Sequence, residues 1–203
     1  MKRVFAVILT AIAVVGAARA DAQELPAGPG RVEISIIPAG ALFFTKDTDA
    51  AAPSFGNYDA GTAVAVNFNR YIGVEGELSG AFGLTQSLEF AGLSADRRTP
   101  HIANYSGNVV LSAPTGGRIV PYVAGGVGAL SLFERAELGI GDTTTFLTGN
   151  VGGGVKWYAG RWGVRADYRF VTVRSKDDAP EFFGTNTRYG HRVYGALLLN
   201  VGR

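Results

Sequence analysis

The chain of 203 residues has no cysteine, a single methionine and two histidines. The missing cysteine excludes disulfides, thiolate metal sites, a cysteine nucleophile and a lipid-modified N-terminal cysteine. Charged residues are sparse, at 18%. With 47% hydrophobic residues, general disorder is excluded too. Past residue 20 there is no run of ~18 apolar residues, so no later transmembrane helix is expected.

The first residues read as an export signal. Lys2 and Arg3 form the positive start, Val4 to Val15 the apolar stretch, and Ala18-Arg19-Ala20 a cleavage site, with Ala20-Asp21-Ala22 a second candidate. The expected division is a signal peptide over 1–20 (or 1–22), a flexible lead over 21–30 and a β-barrel over 31–203. Cleavage removes three of the 19 basic residues, leaving 16 against 17 acidic ones. Nothing in that balance calls for nucleic acid or an acidic partner.

What fills the rest is alternation. Trp162, Val164, Ala166, Tyr168 and Phe170 interleave with Gly163, Arg165, Asp167 and Arg169. Side chains on a strand alternate faces, so a period of two gives one apolar and one polar face. Eight such segments are predicted, over about 31–45, 60–69, 71–83, 101–112, 119–133, 145–158, 161–174 and 190–202. In the fifth, the Gly125-Gly126-Val127-Gly128 run leaves the parity open. The connections alternate as well. Those near 69–71, 113–118 and 159–161 are short, while 46–59, 84–100, 134–144 and 175–189 are long and polar. This is how an even-stranded barrel in an outer membrane is arranged.

Alternation alone does not say which face points outward. A soluble lipocalin-like carrier turns the apolar face inward; a membrane barrel turns it to lipid. The loop pattern and the charges gathered on one face favour lipid. So do the aromatics Tyr71, Trp157, Tyr158 and Trp162 around the short turns, where an interfacial girdle would sit.

The sixth and seventh segments are more specific. Gly149-Asn150-Val151-Gly152-Gly153-Gly154-Val155-Lys156-Trp157-Tyr158 runs through a short turn into Trp162-Gly163-Val164-Arg165-Ala166-Asp167-Tyr168-Arg169. Together with Pro121 to Gly128 and Asn69 to Glu77, this resembles the bacterial outer-membrane β-barrel domain family of small eight-stranded barrels. The resemblance covers essentially all of the chain after the signal. It implies an all-β, eight-stranded antiparallel up-and-down transmembrane barrel in the bacterial outer membrane. Outer-membrane lipid and lipopolysaccharide and the barrel-assembly machinery are the implied partners, with both termini in the periplasm. The last residues, Leu199 to Arg203, depart from the terminal Phe that many such barrels carry.

The polar face holds Glu75, Glu77, Lys156, Arg165, Asp167, Arg169 and Arg192. Eight strands leave room inside for side chains and little else, so charges there have to be paired. A lumenal ion-pair network is expected, with Glu75 and Glu77 facing the arginines. A structural plug and a gated conduction path are its two readings.

Catalytic signals are weak. Some barrels of this type modify lipid A with a His and a Ser, but neither His101 nor His191 matches their His-x-Ser pattern. Ser106 is an odd number of residues from His101, on the opposite strand face. Asp47-Thr48-Asp49 and Asp177-Asp178 lack the remaining ligand spacing of a calcium loop. The glycine runs lack the helix a phosphate loop needs; they are expected to permit strand bending and close packing of bulky lumenal side chains. No catalytic residue, cofactor or metal is therefore expected. The expectation is a non-enzymatic envelope protein acting by structure or through its loops, which carry Phe90, Phe182 and Phe183. A narrow channel, a lipid-modifying enzyme and a soluble carrier are the competing classes.

Overall fold

The computed structural model describes residues 28–45, 52–90, 93–174 and 176–201. The proposed signal segment, most of the lead, Asp47 and Asp49 lie outside these residues. Among the described residues ten strands form: β1 (Val32–Phe44), β2 (Phe55–Asn67), β3 (Ile72–Gly83), β4 (Thr85–Phe90), β5 (Leu93–Arg98), β6 (Ile102–Ser112), β7 (Ile119–Leu132), β8 (Thr144–Ala159), β9 (Trp162–Val173) and β10 (Arg188–Val201). Eight of them close into one barrel in the order β1-β10-β9-β8-β7-β6-β3-β2, every pair antiparallel. Closure pairs the first strand with the last, from Val32 against Val201 to Phe44 against Gly190, so the barrel itself has no open edge.

The orientation of the two faces decides between carrier and membrane barrel. Val64, Val74, Leu78, Val109, Val127, Leu147, Val151, Val164, Val193 and Leu197 are all exposed on the outside, Val127 to 68%. Polar partners one residue along each strand, among them Glu33, Ser35, Glu75, Glu77, Asn108, Arg165 and Asp167, are buried inside. An apolar belt facing out and a charged interior is the arrangement lipid requires and water penalises. The soluble-carrier reading is thereby overturned. The fifth segment's parity is also settled: Val120, Tyr122 and Ala124 point in, Val123 and Val127 out.

Several boundaries move. β2 starts at Phe55, so Asn57 and Asp59 belong to a strand and not to the loop expected over 46–59. β10 starts at Arg188, which brings that arginine into the barrel wall. The stretch expected as loop over 84–100 contains a two-stranded hairpin, β4 with β5, standing beyond the barrel. β1 carries a bulge where pairing slips between Ile36 and Ala39 on one side and Ile37 and Gly40 on the other. Pro38, which has no N–H for the ladder, sits within it. A Cβ on Gly40 would lie 2.7 Å from Tyr194 Cβ, so this position admits only glycine without rearrangement. The bulge flips the parity of β1. Glu33, Ser35 and Ile37 point in before it; Leu42 and Phe44 point in after it.

Candidate functional site

The interior is layered along the barrel axis. Nearest the short turns, Lys156 Nζ lies 2.6 Å from Glu33 Oε2, and Tyr158 OH donates to Glu33 Oε1 at 2.6 Å. At mid-height, Glu75 pairs with Arg165 and, at 3.3 Å, with Arg169. Asp167 sits between the same two cations, 2.7 Å from Arg165 Nη2 and 2.8 Å from Arg169 Nε. Tyr122 donates its hydroxyl to Asp167 and accepts from Arg165 Nε at 2.6 Å. Arg169 Nη1 donates to Asn150, which in turn donates to Asn108, each at 2.9 Å. Toward the loops, Arg192 binds Asp59 at 2.8 Å and Glu77, and stacks 4.4 Å over the Tyr194 ring. Tyr194 donates to Glu77 at 3.1 Å.

All seven of the sequence-derived charges therefore stand inside the wall. The structure brings Glu75, Arg165, Asp167 and Arg169 into one cluster and joins Glu77 to Arg192. Lys156 is not in that cluster: its partner is Glu33. Sequence reasoning missed Glu33, Asp59, Tyr122 and Tyr194 as members. Glu33 alternates with Val32 and Ile34, a usable signal. Asp59 precedes Ala60-Gly61, whose small side chains carry no facial contrast.

The aromatic set divides. Tyr71, Trp157 and Trp162 face outward beside the short turns, Trp162 being 63% exposed. Tyr158 is a correction. It follows Trp157 by one residue, so the strand turns it inward, and it is 0% exposed against Glu33.

At the loop end the lining becomes apolar. Leu42, Phe44, Phe55, Leu130 and Phe146 converge inside the mouth, and Phe182 and Phe183 fold down on them from the segment before β10. Phe44, Phe55 and Phe146 contact Phe183 with ring centroids at 5.3, 6.5 and 4.9 Å. Arg188, 1% exposed, ties this cap together. Its guanidinium donates to the carbonyls of Phe183 (3.1 Å), Thr45 (3.0 Å) and Pro53 (2.8 Å) and lies 5.3 Å over the Phe183 ring. One side chain so spans the first and last loops. Arg188→Ala is expected to loosen the cap and leave the barrel closed. Limited proteolysis should then cut within 174–187 at least several-fold faster, with an unchanged heat-dependent gel shift; equal cleavage rates would refute the role given to Arg188.

The histidines stand elsewhere. His101 accepts from Gly83 N–H at 3.3 Å and meets Phe82 edge-on. His191 bonds the Tyr168 hydroxyl at 2.8 Å and packs on Phe170. Asp178 pairs with Lys176 at 3.2 Å. Among the described residues, no three His, Cys, Asp or Glu side chains come together as a metal site would need.

These features have known counterparts. A family model described as outer membrane protein beta-barrel domain matches residues 7–190. Among solved structures, the chain is similar to Neisserial surface protein A, with a TM-score of 0.58 and 11% identity over 85% of this chain and 99% of that one. It is also similar to Ail, the attachment invasion locus protein of Yersinia pestis, in complex with the heparin analogue sucrose octasulfate. There the TM-score is 0.52, with 17% identity over 84% of this chain and 98% of the other. At such identities the likeness is one of fold. No curated protein matches the chain in sequence. The family match, the outward apolar belt and the closed eight-stranded wall agree: the chain belongs to the outer membrane protein β-barrel domain family, and its place is the bacterial outer membrane.

Proposed function

We propose that this is a non-conducting, non-enzymatic outer-membrane protein whose action lies in its outward loops. One observation carries the reading: charged and aromatic side chains close the lumen at several heights along its axis. A continuous water path would leave its lining accessible, yet Lys156, Arg165, Arg169, Arg192, Leu132 and Phe183 are each no more than 2% exposed. A cavity among Glu77, Asn104, Asn150, Arg169 and Arg192 holds about 10 Å³, the room of one water-sized sphere. The buried charges are engaged with one another, which suits a structural plug better than a selectivity ring. For catalysis, the partners of His101 and His191 among the described residues are a backbone amide, a phenol and apolar rings, and none of them is a carboxylate that would orient an imidazole.

The loop end offers a surface to work with. A cleft of about 320 Å³ lies between the β4–β5 hairpin, the turn at Ala136–Leu138 and the Phe182 segment. Leu88 and Phe182 line it, with Arg97, Glu137 and Glu181. A partner taken there meets an apolar floor and charges of both signs. This suits a protein or glycan surface better than a diffusible ion.

The test is conductance of the purified protein in planar bilayers. The expected record shows no discrete steps at any salt concentration or voltage the bilayer tolerates. Reproducible unitary steps from protein that shows the heat-dependent gel shift would establish a conducting lumen and overturn the reading.

A further inference from the structure

Among the described residues, the rim of short turns, which in outer-membrane barrels faces the periplasm, carries charge of one sign. Arg70 lies in the β2–β3 turn, Arg118 ends the β6–β7 turn, Arg161 lies in the β8–β9 turn, and Arg31 leads into β1. All four are exposed. None makes an ion pair among the described residues. Residues 28–31, 68–71, 113–118 and 160–161 contain no Asp or Glu. The opposite end differs: its loops hold Glu89, Asp96, Glu134, Glu137, Asp142, Asp177, Asp178 and Glu181.

The backbone fixes where these arginines stand. The carbonyls of Arg31, Arg118 and Arg161 accept from Asn67, Tyr158 and Asn200 at 2.9, 2.9 and 2.7 Å. The Asn69 carboxamide oxygen accepts from the amides of Tyr71 (2.8 Å) and Ile72 (3.0 Å), which locks the turn that carries Arg70. Two of the four share a recess. Arg31 and Arg70 line an open cleft of about 560 Å³, together with Pro29, Val66, Asn67 and Phe68. Val66 and Phe68 are exposed apolar side chains of the outer wall, Phe68 at 69%. Arg70 lies 4.8 Å over the Tyr71 ring, which engages the face of the guanidinium and leaves its edge donors available. Glu33, close by in the chain, is turned into the lumen against Lys156.

We infer that this cleft is a binding site for an anionic phospholipid of the inner leaflet, with its phosphate held by Arg31 and Arg70 and its acyl chains laid along Val66 and Phe68. Guanidinium edges match phosphate oxygens in pairs. An apolar wall continuous with the cleft supplies what a free phosphate cannot use. Arg118 and Arg161 add the general attraction of a basic rim for an anionic surface.

Native mass spectrometry of the mature protein, released from micelles with added lipid, tests this. Phosphatidylglycerol, phosphatidylcholine and inorganic phosphate are the three probes. The expected result is a retained phosphatidylglycerol adduct in the wild type and in R118Q/R161Q. R31Q/R70Q should lose it about tenfold and R70Q alone several-fold. Each variant is first checked for a heat-dependent gel shift, and R70Q alters only an exposed turn, so a folded variant is available. Equal retention in all four proteins, or equal loss in the two double variants, would overturn the site. Inorganic phosphate binding as well as the lipid would overturn the lipid as its ligand, and phosphatidylcholine binding as well would overturn the anionic preference.

Discussion

Replacing Arg165 and Arg169 together by alanine is expected to prevent the protein from reaching its closed state. The two side chains are the cations facing Glu75 and Asp167, and both carboxylates are buried. Removing one partner of a buried pair costs about 3–5 kcal/mol, because the other charge stays behind without water. Two such losses approach the about 5–15 kcal/mol that separates folded from unfolded in an ordinary domain. The readout is the fraction of unheated protein that migrates as the compact form, with its melting temperature. Adding Glu75→Gln and Asp167→Asn to the same chain is expected to restore much of the compact form, since the stranded charges are then gone. An unchanged melting temperature in the double alanine variant would show that the cluster contributes little.

Gly154→Val is expected to be nearly as damaging, for a reason of space. In the β8–β9 pairing Gly154 stands opposite Asp167, and Gly152 opposite Arg169. A Cβ on Gly154 would come 2.0 Å from the carbonyl oxygen of Ala166 and 2.8 Å from the Tyr122 hydroxyl. The first contact is backbone, so β8 and β9 would have to separate at the layer where the ion pairs close. Overpacking a core costs about 1–3 kcal/mol where side chains can give way, and more where backbone must move. Gly76→Val is the matched control: nothing lies within 4 Å of its added Cβ, and the position faces outward. Compact protein from Gly76→Val but little from Gly154→Val is the expected pair of results. Equal yields would show that β8 relaxes without cost.

How much of this could be read in advance differs residue by residue. β9 was legible because every second position from Trp162 to Phe170 is apolar and the residues between are glycine or charged, except at Ala166, where the two faces differ least. The same rule fails where side chains are small. Ala60-Gly61 hid the first half of β2, and with it Asp59, the partner of Arg192. It fails again across the bulge at Pro38, since inserted residues reset the parity and turn Leu42 and Phe44 into the mouth. Tyr158 was misjudged because aromatic character at a turn outweighed its odd step from Trp157. That Glu75 and Glu77 face arginines was legible from the shared polar face; which arginine each one meets was not. That depends on how far the strands stagger around the barrel, a property of closure that no single strand carries.

The span of the buried contacts along the chain bears on how the protein assembles. Glu33 meets Lys156 across 123 positions, Asp59 meets Arg192 across 133, and Glu75 meets Arg165 across 90. Each pair joins an early strand to a late one, so a nascent sheet of the first few hairpins holds carboxylates whose cations have yet to arrive. Such topologies fold slowly, because loop-closure entropy is spent before the distant contacts repay it. The unfinished sheet keeps its early carboxylates stable only where water still reaches them. Desolvation of the interior and pairing of β1 with β10 are thereby one event, and the chain has reason to stay at an aqueous boundary until its last strand is in hand.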